Sequence, residues 1–475
     1  MISRNVQRVF VLLSCTFLGL ICGTLYLYSS YSPQLANQLH YSASDSSIIA
    51  LCGTIGVAIA GPISGAVVDR KGYTVSLLIG GILIISSYIG LKRQFDYAWS
   101  NVQFSSFTIF LVGVGSTFIN SACLKCCAVS FPSIRGVATS LPLALYGLSA
   151  LFYSVIASVF YPGDTSNFLG FLVMSIIFIY LICFPSVYIA DCEHKLKSAS
   201  TFHKPSVTVN STHHHPSNTD SQSISSLFTD VKFWLLFLIT GTLAAMGQMY
   251  IYSVGYMVKA LVTKALPAEM NVNIIIQQDQ QFQVGLISIA NFIGRIVSGI
   301  SGDIITQSFH KPRESLLFIP AIGMGICQLL AFNIESYTEL PSNSFLIGFF
   351  YGFTFCISPI IVGDAFGMEN FSFNWGIVSM SPIVPSFYFT KLFGQIYDSN
   401  SVTIQDLNDA NSNTFVCTLG KLCYNSIFKL TLALSISAII AVVVLNFREF
   451  ISKRRKITSL PLASPTQGIV NEKVN

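Results

Sequence analysis

The apolar positions gather into twelve long runs separated by short polar stretches. The first six lie near Val9 to Tyr28, Ser46 to Val68, Thr74 to Leu91, Ser105 to Cys127, Val137 to Phe160 and Phe168 to Ala190. Six more lie near Val231 to Val254, Phe282 to Ile304, Ser315 to Ile334, Phe345 to Val362, Gly376 to Ile396 and Ile427 to Leu445. Each is close to the roughly 20 residues that carry an α-helix across a hydrocarbon core. With no water in that core the backbone must be satisfied within the segment, so each run predicts a helix. The expected fold is an all-α polytopic membrane protein with twelve transmembrane helices in two six-helix halves, residues 1–190 and 231–446. Between them, 191–230 is rich in Ser, Thr, His and Pro without an apolar period, which predicts a disordered linker. Residues 447–475 form a tail. Arg4 and Arg8 precede the first run as in a secretory signal, but its length and the later runs predict an uncleaved helix.

Composition narrows the class. Of 475 residues only 10% are charged and 52% are hydrophobic, whereas a soluble domain carries about 25% charged residues. An ordinary soluble enzyme is excluded, and a net charge of +5 gives no reason to expect a nucleic-acid partner. With the N-terminus inside, about eighteen Lys and Arg fall on the inner side against about six outside, which places both termini and the linker in the cytoplasm. No G-x-x-x-x-G-K-[ST] phosphate loop occurs, so direct drive by ATP is not expected. His213, His214 and His215 are adjacent and cannot all ligate one ion, so neither a metal nor a cofactor is expected. The expected partners are a small-molecule solute and membrane lipids, with a coupling ion left open.

The halves repeat each other. Gly23-x-x-Tyr26-x-Tyr28-Ser29 recurs as Gly247-x-x-Tyr250-x-Tyr252-Ser253, and Gly65 with Asp69 recurs as Gly299 with Asp303. Phe131 before Gly136 is paired with Phe366 before Gly376. Parallel six-helix repeats are the architecture of a rocking transporter.

Gly65-Ala66-Val67-Val68-Asp69-Arg70-Lys71-Gly72 resembles the G-x-x-x-D-R-x-G signature between helices 2 and 3 of the major facilitator superfamily, and Phe131 to Gly136 is similar to its loop between helices 4 and 5. Tyr31-Ser32-Pro33-x-Leu35, Asn291-Phe292-Ile293-Gly294-Arg295, Asp364-x-Phe366-Gly367 and Cys417-x-x-Gly420-x-x-Cys423-Tyr424 resemble the nodulin-like and monocarboxylate-transporter-homologue branch, and most closely its fungal probable transporters. That resemblance implies the major facilitator fold, a transport role and a vacuolar membrane. Monocarboxylate transporters carry an Arg in helix 8 with an Asp four residues earlier and a Lys in helix 1. Here Arg295 is present, the acid is Asn291, and no charge occurs from Val9 to Leu25.

Arg295 near mid-span must face protein or a wet cavity, because a charge in lipid costs several kcal/mol. Ser288, Asn291 and Arg295 fall on one helical face, which suits a cavity wall; Arg295 bound to backbone carbonyls is the plain alternative. At most one of Tyr26 and Tyr28 faces the cavity, and likewise one of Tyr250 and Tyr252; Tyr26 and Tyr250 are taken as the substrate-side pair, against interfacial anchoring. Asn120 and Tyr146 are further candidates, equally served by interhelical hydrogen bonds. Gly65, Asp69, Arg70, Gly72, Arg135 and Asp303 sit at inner helix ends and are assigned to gating. No Asp, Glu or His falls in the middle third of a span, so no side chain there relays a proton. Cys417 and Cys423 share the outer loop before the last span and are expected to pair in a disulfide. The expected function is secondary or facilitative transport of a small, anionic, monocarboxylate-like solute by alternating access, and a transporter-fold sensor without net flux is the rival.

Overall fold

A computed structural model describes residues 4–41, 43–202, 224–266, 272–405 and 413–458. Helix α1 (Arg4–Cys22) runs through a 3-10 turn at Gly23–Leu27 into a short helix, Tyr28–Leu39. It is followed by α2 (Ala43–Lys71), α3 (Tyr73–Asp96), α4 (Val102–Ser130), α5 (Arg135–Phe160) and α6 (Thr165–Phe202). The second half holds α7 (Val231–Ala265), α8 (Val272–Gln307), α9 (Phe318–Asn333), α10 (Leu340–Phe366), a divided α11 (Phe371–Val378 and Ile383–Ser399) and α12 (Asn425–Thr458). Successive helices alternate in direction. The ends near residues 70, 135, 200 and 310 therefore share one side, called here the linker side.

Eleven of these helices are long and apolar enough to span a membrane. The twelfth, α11, falls short because it is broken at residues 379–382. The cause is Pro382, which has no N–H to donate and whose ring collides with the carbonyl four residues back; the first piece ends at that residue, Val378. Ser381 in the break lies against Gly241 of α7, so the gap is filled by a neighbouring helix, as irregular backbone at membrane depth requires.

Several boundaries differ from the apolar runs. The linker expected from Asp191 is helical as far as Phe202, and Ile224–Thr229 forms a further short helix. Residues 203–223, including the three histidines, lie outside the described residues. The tail expected from 447 is helical to Thr458. Helix α8 begins at Val272, about ten residues before the expected Phe282. In each case a helix continues beyond its apolar stretch, because polar residues with good helical propensity can extend it into the interface.

The buried side chains form one cluster from Val11 to Val187 and a second from Leu227 to Leu445, the latter joined by Leu124 and Leu143 of the first half. Lipid tails are as apolar as leucine, so it is close packing that holds such helices together. Opposite the linker side, strands β1 (Val402–Gln405) and β2 (Asn413–Val416) pair antiparallel, Val402 with Val416 and Gln405 with Asn413. This small hairpin is the departure from an all-α chain among the described residues. A disulfide joins Cys417 to Cys423, with Cα atoms 6.1 Å apart. Beside it Lys421 bonds Glu335 in the α9–α10 connection, and that hydrogen bond holds the Glu335 carboxyl below the usual range.

Cys417→Ser should lower the unfolding midpoint only modestly, since closing so short a loop removes roughly 2 kcal/mol of unfolded-chain entropy. Thermal unfolding with and without reductant checks this: reductant should shift the wild type and leave the variant unmoved.

Candidate functional site

At the linker side two carboxylates bridge the halves in matching ways. Asp69, at the end of α2, accepts from the backbone N–H of Phe373 (2.8 Å) and Ser372 (3.3 Å) in the first turn of α11. Asp303, near the end of α8, accepts from Gly136 and Val137 in the first turn of α5, both at 2.8 Å. Each carboxylate thus meets the N–H groups that a helix start leaves unpaired and the positive end of its dipole. Each also holds a buried cation: Lys125 at 2.6 Å from Asp69, and Arg313 at 3.0 Å from Asp303. Lys125 reaches on to the Glu369 carbonyl at 2.9 Å, again across the halves. Asp364 joins the second cluster, accepting from Arg313 of its own half and from Arg135 of the other at 2.9 Å.

The helices carrying these groups touch backbone to backbone. A Cβ on Gly65 would lie 2.3 Å from the Ser372 carbonyl oxygen, and one on Gly136 would lie 2.3 Å from that of Gly299. The equivalence of the two clusters pairs Gly136 with Ser372 rather than with Gly376, which corrects the register read from the sequence. Nearer the opposite side, Gly53 and Gly56 of α2 meet α4 of their own half, and the second piece of α11 packs chiefly against α7. The halves are therefore clamped at the linker side along α2 and α11 and diverge along those helices toward the hairpin.

Arg295 is buried, 4% exposed, at the meeting of α8 and α5. Its Nε donates to Asn291 Oδ1 at 2.8 Å and its Nη1 to the Leu143 carbonyl of the opposite half at 2.6 Å. The guanidinium lies 5.7 Å from the centre of the Tyr146 ring. Tyr146 meets Tyr26 edge-on, with ring centres 5.8 Å apart. Tyr26, in the 3-10 turn after α1, is 44% exposed, and Tyr252 of α7, 47% exposed, lies within reach of both Tyr26 and Thr54 across the halves. Tyr351 of α10 accepts from Gln248 at 3.3 Å and lies near Tyr26, Tyr252 and Arg295. Arg295 thus lies against Tyr146, with Tyr26, Tyr252 and Tyr351 nearby.

The structure brings Arg295, Asn291, Tyr26 and Tyr146 together and places Tyr250 apart from them. That residue is fully buried and its hydroxyl pairs with Ser344 at 2.9 Å; Tyr252 takes the inward place. The Gly-x-x-Tyr-x-Tyr repeat misleads because Tyr26 lies in a 3-10 turn with three residues per turn, whereas α7 keeps its α pitch, so equal spacings point to different faces. Ser288 returns its hydroxyl to Val284 of its own helix at 2.9 Å. Asn120 is half-buried and bonds none of the cluster. Of the gating group, Asp69, Asp303, Arg135, Gly65 and Gly136 meet at the clamp, whereas Arg70 is exposed and enters none of its ion pairs. Gly72 acts within its half: its φ of 94° suits glycine, and a Cβ there would lie 2.4 Å from Asp191. Asp191, in the last third of α6, accepts from Tyr73 N at 3.0 Å and Thr74 Oγ1 at 2.7 Å, securing the start of α3. Lys125 and Arg313 were legible only as topological charge, although a Lys inside an apolar run is a signal in itself.

Residues 12–381 match the Major Facilitator Superfamily, and the chain belongs to that family of transporters, which are not enzymes. It is 26% identical to an uncharacterized membrane protein of Saccharomyces cerevisiae, YMR155W, over 86% of this chain and 89% of that one. It is 23% identical to the probable transporter MCH1 of Wickerhamomyces anomalus, over 82% and 78% of the two chains. Among solved structures, the transporter FucP in its outward conformation superposes with a TM-score of 0.56 at 14% identity, covering 90% of this chain and 98% of FucP. The proton:xylose symporter XylE gives 0.59 at 14%, covering 90% and 95%. These likenesses confirm the twelve-helix fold.

Asp303→Asn should loosen the clamp, because an amide cannot accept from two backbone N–H groups and Arg313 as a carboxylate does; each charged hydrogen bond contributes about 1.5–3 kcal/mol. With a reporter cysteine at Ser140, in a background without other free thiols, maleimide labelling should accelerate by at least tenfold. An unchanged rate would remove Asp303 from the clamp.

Proposed function

We propose that the protein carries a small organic anion, monocarboxylate-like in its charge, by alternating access between the two halves, and that Arg295 is the residue that reads the anion. The observation that carries this reading is the Nη1 bond from Arg295 to the Leu143 carbonyl, which ties the cation of one half to the backbone of the other. A carboxylate competes well for a guanidinium, since charge-assisted hydrogen bonds are about twice as strong as neutral ones. Entry of an anion between Tyr26, Tyr146 and Tyr252 therefore draws Arg295 from Leu143 and loosens the α5–α8 contact. Binding and the rocking of residues 1–190 against 231–446 become one event, because the solute takes over a bond that held the halves. Nε and Nη1 are both engaged in the unloaded site, so the anion first meets Nη2 and the tyrosine hydroxyls.

The linker side is cytoplasmic in this reading, on the strength of its Lys and Arg excess, and the disulfide-bearing hairpin then faces the non-reducing side. Both termini are cytoplasmic, and the membrane is that of the vacuole by resemblance to the fungal branch.

Arg295→Lys should impair uptake and Arg295→Gln should abolish it, since an ammonium cannot hold Asn291, Leu143 and an anion in a planar fork. Tyr252→Ala should weaken apparent affinity several-fold, and Tyr250→Phe should leave it near the wild-type value. Counterflow of a panel of labelled monocarboxylates in proteoliposomes is the measurement; wild-type exchange by Arg295→Gln would make the residue purely structural. A sensor without flux would exchange none of them in any variant.

A further inference from the structure

At the linker end of the first half, a cavity of about 160 Å³ opens between the start of α1, the start of α3, the end of α4 and the last third of α6. That is far above the roughly 15 Å³ a single water needs. Arg8 of α1 and Lys197 of α6 bring two positive charges to its wall, and His194 and Tyr73 stand together there with ring centres 5.8 Å apart. The Tyr73 hydroxyl is buried and has no hydrogen-bond partner. Glu193 is the one acid in the wall, and Gln7 Nε2 holds its Oε1 at 2.8 Å. Half-buried Arg8 makes no hydrogen bond or ion pair among the described residues. The neighbouring cations are already engaged: Lys195 lies 2.8 Å from Asp191, and Lys125 lies 2.6 Å from Asp69.

A guanidinium offers five N–H donors in a fixed fork, and an oxyanion that enters the cavity gives them acceptors. Phosphate suits the set, since it accepts from several donors at once and takes two parallel bonds from an arginine. We propose that this cavity binds the phosphate of an anionic phospholipid from the leaflet on the linker side. Depth favours a lipid over a soluble phosphate: Arg8 lies just inside the span Val6–Leu27, and Lys197 ends the span Thr165–Lys197, so both cations stand at headgroup level. Basic pockets between helices at that level are headgroup sites. The apolar neighbours of the two cations, Val9 and Phe10 on α1 and Leu196 on α6, are exposed, which suits acyl chains better than water. Bound phosphate joins the start of α1 to α3, α4 and α6. Tyr73 follows directly on the segment 69–72, so the lipid steadies the stretch of chain that carries Asp69. The site is independent of which solute the protein carries.

Native mass spectrometry of the full chain, released from nanodiscs of phosphatidylcholine and phosphatidylserine, reads the bound lipid directly. Wild type should retain phosphatidylserine in preference to phosphatidylcholine. Arg8→Ala should retain it about tenfold less, as the loss of a charged hydrogen bond implies. Arg448→Ala removes an exposed cation of the second half on the same side and should leave retention at the wild-type level. Glu193→Gln keeps an acceptor for Gln7 and removes a repelling charge, so its retention should rise. In detergent without lipid, inorganic phosphate should leave the unfolding midpoint unmoved. Equal losses in Arg8→Ala and Arg448→Ala would reduce the effect to the general attraction of anionic lipid to a basic face and overturn the proposal. A midpoint that inorganic phosphate raises in wild type but not in Arg8→Ala would make the ligand a soluble phosphate and overturn the lipid assignment. If Arg8→Ala fails to fold, unchanged retention in Glu193→Gln overturns it equally.

Discussion

Two acidic side chains, each capping the start of a helix in the opposite half, set the conformation described here. Asp69 and Asp303 occupy equivalent places, and each meets backbone N–H groups that no other partner among the described residues satisfies. A buried carboxylate is stable only when such donors surround it, and a helix start buried in protein is stable only when its donors are taken. Each element thus removes the other's cost. Because both members of each pairing belong to different halves, closure on the linker side is the state in which neither is left unsatisfied. The glycine contacts follow from this: carboxylate and helix start meet at hydrogen-bond length only if the backbones run within van der Waals distance, which excludes a side chain at Gly136 or Gly299.

The clamp and the tyrosine-lined centre are linked through α5 and α8. Asp303 fixes the first turn of α5, and two turns farther along the same helix Leu143 receives Arg295 from α8. The same two helices therefore meet through a carboxylate at their end and through a guanidinium in their middle. A carrier must exchange its contacts without exposing a bare charge to lipid. In the conformation described, this pairing meets that demand, since each charge has a backbone partner.

The apolar runs were sufficient to read twelve helices and their grouping by six, because lipid leaves a segment little choice of structure, and the motif from Gly65 to Gly72 carried the resemblance to the family. The clamp was legible in part. Gly65, Asp69, Gly299 and Asp303 stood out by repetition, and Arg135 by its place before α5, but their partners did not: Ser372, Phe373 and Val137 contribute only backbone atoms. Face assignment failed where helix geometry changed. After the 3-10 turn that follows Cys22, Tyr26 is 44% exposed while its repeat counterpart Tyr250 is buried and Tyr252 is 47% exposed.

The acceptor for Arg295 is a main-chain carbonyl, and every amino acid carries one. Any residue that keeps α5 helical at position 143 preserves the bond, so Leu143 is free to drift while Arg295 is not. A search for correlated substitutions would find Asn291 beside the arginine on its own helix, and no side chain across the halves at position 143. The contact that joins the two halves at their centre is thus written in coordinates alone.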